Sequence, residues 1–77
     1  MNITELVENI NKDLDEIGDF TAHNEDGSIY IKNTGQNDIL SYEAQGILDV
    51  MKKYNFKFHA IEFHLHQCYL VFGMGDI

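Results

Sequence analysis

The sequence predicts an α+β fold in which a four-stranded antiparallel sheet packs against two helices. Two segments place apolar residues at helical spacing, and each is followed by a pair of short segments rich in aromatic and β-branched residues. The predicted order of elements is therefore α-β-β-α-β-β. One sheet with both helices on one of its faces is the simplest packing of this order. We expect residues 1–77 to form a single domain, because so short a chain holds one modest core.

The first helix is predicted over residues 3–17. Asn2 is a suitable N-cap with Glu5 three residues later, and Gly18 suits the end of the helix. The apolar stripe expected to face the core consists of Ile3, Leu6, Val7, Ile10, Leu14 and Ile17.

The first hairpin is predicted from strands over residues 20–23 and 28–33. Its turn is predicted to be Asn24-Glu25-Asp26-Gly27, in which the pair Asp26-Gly27 accepts the positive φ values of a tight turn. Alternation along the two strands directs one set of side chains to the core, namely Phe20, Ala22, Ile29 and Ile31.

The second helix is predicted over residues 42–54, with Ser41 as its cap and Asn55 at its end. Its apolar stripe consists of Ala44, Ile47, Leu48, Met51 and Tyr54. Gly46 weakens the helix by about 1 kcal/mol relative to alanine, which predicts that another element packs closely against it.

The second hairpin is predicted from strands over residues 56–63 and 68–72. Its turn, within residues 64–67, contains no glycine, so the sequence leaves the strand boundaries open. The sheet face turned away from the helices would carry Tyr30, Lys32, His59 and Tyr69. That face is amphipathic enough to be solvated or to form the interface of a homodimer, which we expect for a chain with so small a core.

Charge is the most informative functional feature of the chain. The chain contains 13 Asp and Glu residues and five lysines, which gives a net charge of −8. Residues 1–49 hold eleven of the acids and two lysines, whereas residues 50–77 hold two acids and three lysines. Such a field repels nucleic acid and anionic membranes and attracts basic protein surfaces. We therefore expect a basic protein partner and no direct binding to nucleic acid.

The candidate binding residues are the acids of the first helix and of the first hairpin. A solvated surface with no partner is the alternative interpretation of such a cluster. Mimicry of DNA is geometrically feasible, because carboxylates three to four residues apart on a helix are separated by about 4.5–6 Å of rise, comparable to the ~3.4 Å advance between phosphates. The predicted phosphate substitutes are Glu5, Glu8, Asp13, Asp15, Glu16, Asp19, Glu25 and Asp26.

The end of the first helix favours a functional interpretation. A helix C-terminus carries partial negative charge, so each acid there costs about 0.3–1 kcal/mol. Asp15, Glu16 and Asp19 crowd that end, and only Lys12 offers relief by i,i+4 pairing with Glu8 and Glu16. A local rule broken without compensation is typical of a functional surface.

A second candidate site lies in the segment that contains His59, His64, His66 and Cys68. Imidazole and thiolate groups bind zinc, and His64, His66 and Cys68 would share a face of a continuous strand. A tight turn at residues 64–67 would break that face, and the paired spacing of structural zinc sites is missing. The preferred interpretation is polar turn residues beside a small buried thiol, so we expect no metal, no cofactor and no enzymatic activity.

The expected compartment is the cytoplasm. Cys68 is the only cysteine, which excludes an internal disulfide and fits a reducing environment. The first residues contain no basic region followed by an apolar run, so we expect no signal peptide. If the protein is phage-encoded, the cytoplasm is that of the host.

A resemblance to known proteins lies in the opening segment, residues 1–8 with the sequence MNITELVE, followed by a compact acidic α+β domain. The chain resembles small acidic bacteriophage host-takeover proteins of the DNA-mimic type. These include anti-restriction proteins, anti-CRISPR proteins and the phage inhibitor of the bacterial histone-like protein HU, which is the most similar in size, charge and architecture. The resemblance covers the whole chain in character and contains no diagnostic motif, so no residue role is carried over. It implies a basic DNA-binding protein of the host, such as a nucleoid-associated protein, as the partner.

Two further functions share part of this evidence. An immunity protein that neutralises a basic nuclease toxin would also be acidic, but it would bind one partner through a few aromatic anchors as well as charge. A small His/Cys metal-binding domain would instead depend on the segment that contains His59 and Cys68.

Overall fold

A computed structural model describes residues 2–36 and 38–74. Its elements are α1 (Ile3–Leu14), β1 (Phe20–Glu25), β2 (Ser28–Asn33), α2 (Ser41–Lys53), β3 (Phe56–His64) and β4 (Gln67–Met74). The predicted α+β fold and the order of its elements are confirmed. None of the helices in these residues is both long enough and apolar enough to cross a membrane.

The four strands form one antiparallel sheet in the order β1-β2-β4-β3. Ala22 lies opposite Ile31 in the first hairpin, and Phe63 lies opposite Cys68 in the second. The two hairpins meet along β2 and β4, where Ile31 lies opposite Leu70. β1 and β3 are therefore the edge strands of the sheet.

The core lies between the two helices and one face of the sheet. Ile10 and Leu14 of α1 and Ile47 and Met51 of α2 are fully buried there. They pack against the sheet residues Phe20, Ala22, Ile29, Ile31, Phe56, Leu70 and Phe72. The core positions predicted for the first hairpin are confirmed, which fixes the opposite face of the sheet as the one without a helix.

The first helix begins as predicted and ends earlier than predicted. Oδ1 of Asn2 accepts a hydrogen bond of 2.9 Å from the backbone N–H of Glu5. Helix α1 ends at Leu14 rather than at residue 17, because Glu16 and Ile17 donate their N–H groups to carbonyls three residues earlier and so form a tighter turn.

The prediction that Ser41 caps the second helix is wrong. Ser41 is the first helical residue, and Leu40 is the N-cap. A leucine side chain cannot accept a hydrogen bond, so the helix start is held by Oε1 of Glu43, which accepts from the backbone N–H of Leu40 at 3.0 Å. At the other end, Asn55 adopts a left-handed φ of 63° and ends the helix as predicted.

Gly46 permits the close approach that its position in α2 predicts. A Cβ atom there would lie 3.1 Å from Cδ1 of Ile17, which is tighter than an ordinary van der Waals contact. The segment after α1 therefore packs directly on α2.

The outer edge of β1 is held by a side chain of α1. Asn11 accepts a hydrogen bond of 2.8 Å from the backbone N–H of Ala22 and donates one of 3.2 Å to its carbonyl oxygen. The amide thereby imitates a neighbouring strand over one residue, and it fixes the position of α1 relative to β1.

The second hairpin contains two irregular features. The register of β3 against β4 shifts between Phe58 and Ala60, so His59 is the extra residue of a β-bulge. The turn is only two residues long, and both Leu65 and His66 adopt positive φ values, of 52° and 65°. This is the backbone pattern that Asp26 and Gly27 supply in the first hairpin, with φ values of 51° and 88°.

Candidate functional site

The structure divides the predicted phosphate substitutes between the two ends of α1. The chain reverses after α1, so β1 runs back along it and its last residues lie beside the first turn of the helix. A groove of about 290 Å³ lies between α1 and β1 at this end. It is lined by Thr4, Val7 and Glu8 of α1 and by His23 and Asn24 of β1. The first acidic group at this end consists of Glu5, Glu8, Glu25 and Asp26, all exposed.

The second acidic group lies at the opposite end of α1 and consists of Asp15, Glu16 and Asp19, all exposed. Asp15 is the C-cap of the helix, where its carboxylate opposes the helix dipole as predicted. Asp19 is anchored by its backbone, because its carbonyl oxygen accepts from the N–H and the hydroxyl of Thr34 at 2.7 Å and 3.0 Å. The rise of the helix separates Glu8 from Asp15 by about 10 Å.

Asp13 belongs to neither group. Its Oδ2 lies 2.6 Å from Nζ of Lys53 and accepts a 2.6 Å hydrogen bond from the hydroxyl of Tyr54. The ion pair with Lys53, followed by the Tyr54 hydrogen bond, lowers the pKa of Asp13. The same contact with Asp13 raises the pKa of Tyr54 and of Lys53. Asp13 therefore joins α1 to the end of α2, and the Lys53 ammonium group balances its charge.

Lys12 interrupts the row of carboxylates along α1. It occupies the last turn of the helix, four residues after Glu8 and four before Glu16, and is exposed. The row that faces solvent is therefore two acids, one lysine and two acids rather than a continuous negative strip.

The sheet face without helices, which the sequence predicts to be either solvated or a homodimer interface, carries a cluster of aromatic, imidazole and carboxylate side chains. All four strands contribute to this open-face cluster, which consists of His23, Glu25, Tyr30, Glu62, His64 and Tyr69. A cavity of about 240 Å³ is lined by five of these residues, and the sixth, Glu62, contacts His64. The predicted open-face positions of Tyr30 and Tyr69 fit this arrangement.

The rings of the open-face cluster are in mutual contact. The centroids of His23 and Tyr30 are 5.5 Å apart and their planes are 23° from parallel. Tyr69 completes the group, at 5.9 Å from Tyr30 and 5.7 Å from His64. The rings thus form a continuous aromatic floor across the sheet, with faces and edges both presented to the cavity.

Two carboxylates flank that aromatic floor on opposite sides. Oε2 of Glu25 lies 3.8 Å from Nε2 of His23, and Oε1 of Glu62 lies 2.8 Å from Nε2 of His64. Partial burial, and secondarily the charges of Glu62, Glu25 and Asp26, raises the pKa of the Tyr30 hydroxyl. The two carboxylates would attract a cation to this part of the sheet.

The histidine and cysteine segment does not assemble into a metal site. The two-residue turn at Leu65 and His66 separates the strands, so His64 joins the open-face cluster while Cys68 lies opposite Phe63 on the helix side of the sheet. In residues 2–36 and 38–74, no three His, Cys, Asp or Glu side chains converge on a common point. Burial, and secondarily the charge of Asp38, raises the pKa of the Cys68 thiol, which is the opposite of nucleophile activation.

The helix side of edge strand β3 carries an apolar patch that α2 leaves uncovered. The patch consists of Phe58, Ile61, Phe63 and the turn residue Leu65, whose surfaces are 46%, 58%, 72% and 98% exposed. A shallow cavity of about 140 Å³ joins Phe58 and Ile61 to Leu48 of α2. Exposed apolar side chains grouped on an edge strand are typical of an interaction surface.

No protein family, curated protein or solved structure matches this chain.

Proposed function

We propose that this protein is an acidic inhibitor that mimics DNA and occupies the DNA-binding surface of a basic host protein, such as a nucleoid-associated protein. The observation that carries the proposal is the exposure of seven of the eight candidate carboxylates, all within α1, β1 and the turns that follow them. An exposed, one-sided negative surface attracts lysine and arginine side chains that otherwise hold phosphates.

The two acidic groups would act as two contact points on the partner. Glu5, Glu8, Glu25 and Asp26 present charge at one end of α1, and Asp15, Glu16 and Asp19 present it at the other. Asp13 is left out of this surface, because Lys53 and Tyr54 already satisfy its carboxylate. Binding through exposed charges weakens as salt concentration rises.

The decisive test compares two variants with the same change in net charge. The immobilised protein is used to capture proteins from a bacterial lysate, which are eluted with a salt gradient. Asp15→Lys/Glu16→Lys reverses charge in the second acidic group, and Asp38→Lys/Asp49→Lys reverses it at two exposed acids elsewhere. We expect a basic DNA-binding protein to bind the wild type and the Asp38/Asp49 variant but not the Asp15/Glu16 variant.

A third variant probes the interruption of the row. Lys12→Glu makes the row of carboxylates along α1 continuous, so we expect the captured protein to elute at higher salt than from the wild type. Equal retention of the partner by all variants would exclude the α1 surface as the binding site.

The alternative function as an immunity protein is favoured by a different observation. The exposed Phe63 and the half-buried tyrosine rings of the open-face cluster would provide the anchors that a tight, specific complex with one nuclease toxin requires. The capture experiment separates the two functions, since an immunity protein retains a single nuclease at high salt and a DNA mimic releases its partner at moderate salt.

Homodimerisation is part of the proposal, with the apolar patch on β3 as the contact. The patch lies in the half of the chain where two acids and three lysines nearly balance, so two copies with net charge −8 repel each other least there. A dimer joined at β3 leaves both α1 surfaces free, so it doubles the length of acidic surface offered to a partner.

A further inference from the structure

We infer that the open-face cluster is a binding pocket for the guanidinium group of an arginine side chain presented by the basic partner. This inference rests on the proposed function for the source of the arginine. It assigns a recognition role to side chains that are distinct from the carboxylates of α1, and it adds a chemically selective contact to an otherwise diffuse attraction.

The aromatic floor supplies the first requirement of such a pocket. A guanidinium group is planar and is attracted to ring faces within about 6 Å of the centroid. Tyr30 and Tyr69, 5.9 Å apart at an interplanar angle of 73°, offer a face and an edge, and His23 lies nearly parallel to Tyr30. The cavity of about 240 Å³ is far larger than the ~30 Å³ share of one water molecule, so a small planar group fits.

The flanking carboxylates supply the second requirement. Guanidinium presents five N–H donors in a fixed fork, which matches carboxylate oxygens on more than one side. Glu25 lines the cavity from β1 beside His23, and Glu62 of β3 contacts His64, which lines the cavity. A lysine ammonium group would satisfy the charges but would not stack on the rings, so arginine is favoured over lysine.

The position of the pocket connects it to the proposed DNA-mimic surface. His23 lines both the open-face cavity and the groove that contains Glu8. A basic segment that crosses the β1 edge would therefore meet the first acidic group and the pocket in succession. The basic groups near the pocket include the two histidines and Lys32, which lies two residues along β2 from Tyr30.

A titration with small probes tests the inference without any protein partner. N-acetyl-arginine amide is added to the full chain at low ionic strength, and the ring resonances of the four tyrosines are followed by NMR. The matched neutral probe is N-acetyl-citrulline amide, which has the same shape without the charge. We expect saturable shifts at Tyr30 and Tyr69 with a Kd in the millimolar range for arginine, at least tenfold weaker binding for citrulline, and no shift at Tyr42.

Variants identify the groups responsible. Glu25→Gln/Glu62→Gln keeps the shape of both side chains and removes their charges, and we expect it to raise the Kd for the arginine probe at least tenfold. Tyr69→Leu removes a ring and should do the same, whereas Tyr42→Leu, at a 71% exposed position on α2, should leave the Kd unchanged. Tyr69→Phe keeps the ring and should restore binding, which guards against a folding defect in the leucine variant.

The outcomes separate this inference from the proposed function. Equal binding of arginine and citrulline, or shifts spread over all four tyrosines, would overturn the pocket even if lysate capture depends on Asp15 and Glu16. Selective arginine binding with no basic protein captured would support the pocket and refute the DNA-mimic function.

Discussion

At the residue scale, Asp13 of α1 forms polar contacts with Lys53 and Tyr54 at the C-terminal end of α2. Replacing Asp13 with asparagine removes the charge that Lys53 and Tyr54 surround, so we expect a lower midpoint of thermal unfolding at pH 7. Asp15→Asn is the matched control. It removes a charge that opposes the helix dipole and should leave the midpoint unchanged or raise it.

The difference in unfolding midpoint between the wild type and Asp13→Asn should depend on pH in a definite direction. The pKa of Asp13 is lower in the folded protein than its ordinary value of 3.8. Its contribution to stability is therefore fully present above about pH 4 and is lost as pH falls through the lowered folded value. Thermal unfolding of wild type and Asp13→Asn should converge at acidic pH. A gap in the unfolding midpoint that persists unchanged to pH 2 would contradict the ion-pair assignment.

Individual residues were predictable where their roles are local. The Asn2 cap, the left-handed Asn55 and the close packing at Gly46 each follow from a few neighbouring residues. The Asp13 contact was not predictable, because its partners lie 40 and 41 positions away on another helix. The Leu40 start of α2 was missed because a leucine N-cap gives no sequence signal.

At the element scale, the turn between β3 and β4 is the least favourable piece of local structure. Left-handed backbone costs about 1–2 kcal/mol per residue for residues other than glycine, asparagine and aspartate, and Leu65 and His66 both adopt it. Asn-Gly is the preferred pair for such a turn. We expect Leu65→Asn/His66→Gly to stabilise the protein by about 1 kcal/mol, measured by urea unfolding.

The first hairpin offers the reverse experiment. Asp26 occupies the equivalent left-handed position at φ 51°, so Asp26→Leu should destabilise the protein by a comparable amount, about 1 kcal/mol. If the Leu65/His66 replacement leaves the urea midpoint unchanged while Asp26→Leu lowers it, the second turn is not strained in solution.

Element types were predictable and element ends were less so. Apolar spacing extended the predicted first helix to Ile17, which does pack on the core after the helix has ended, because the tighter turn keeps it on the same side. The open-face cluster depends on the pairing of β2 with β4, a long-range choice that strand patterns do not determine. The register of His23 opposite Tyr30 also required the fold, because the first strand was predicted to end at residue 23, whereas β1 continues to Glu25.

At the scale of the whole molecule, the apolar patch on β3 leads to a prediction about assembly. We expect the wild type to sediment as a dimer and Ile61→Asp/Phe63→Asp to sediment as a monomer, because both side chains are exposed within one chain and neither supports its core. Tyr42→Asp, equally exposed on α2, is the control and should remain dimeric. A monomeric wild type at high concentration would exclude the patch as a dimer contact.

Charge is the feature of the whole molecule that supports the proposed function. The surface has three regions that suit different contacts. Acids lie at both ends of α1, the aromatic pocket lies across the β1 edge, and the β3 side is nearly neutral. Composition alone predicted the class of partner. The division of the carboxylates into two groups, and the withdrawal of Asp13 from them, required the fold.

The measurement that tests the central claim most directly is competition by duplex DNA. A partner captured from bacterial lysate is held on the immobilised protein while duplex DNA is added at constant salt. If the protein occupies a DNA-binding surface, DNA should release the partner in proportion to its concentration, and a neutral polymer at the same mass should not. A basic partner that stays bound at saturating DNA would contradict mimicry, because the two ligands would then occupy different sites.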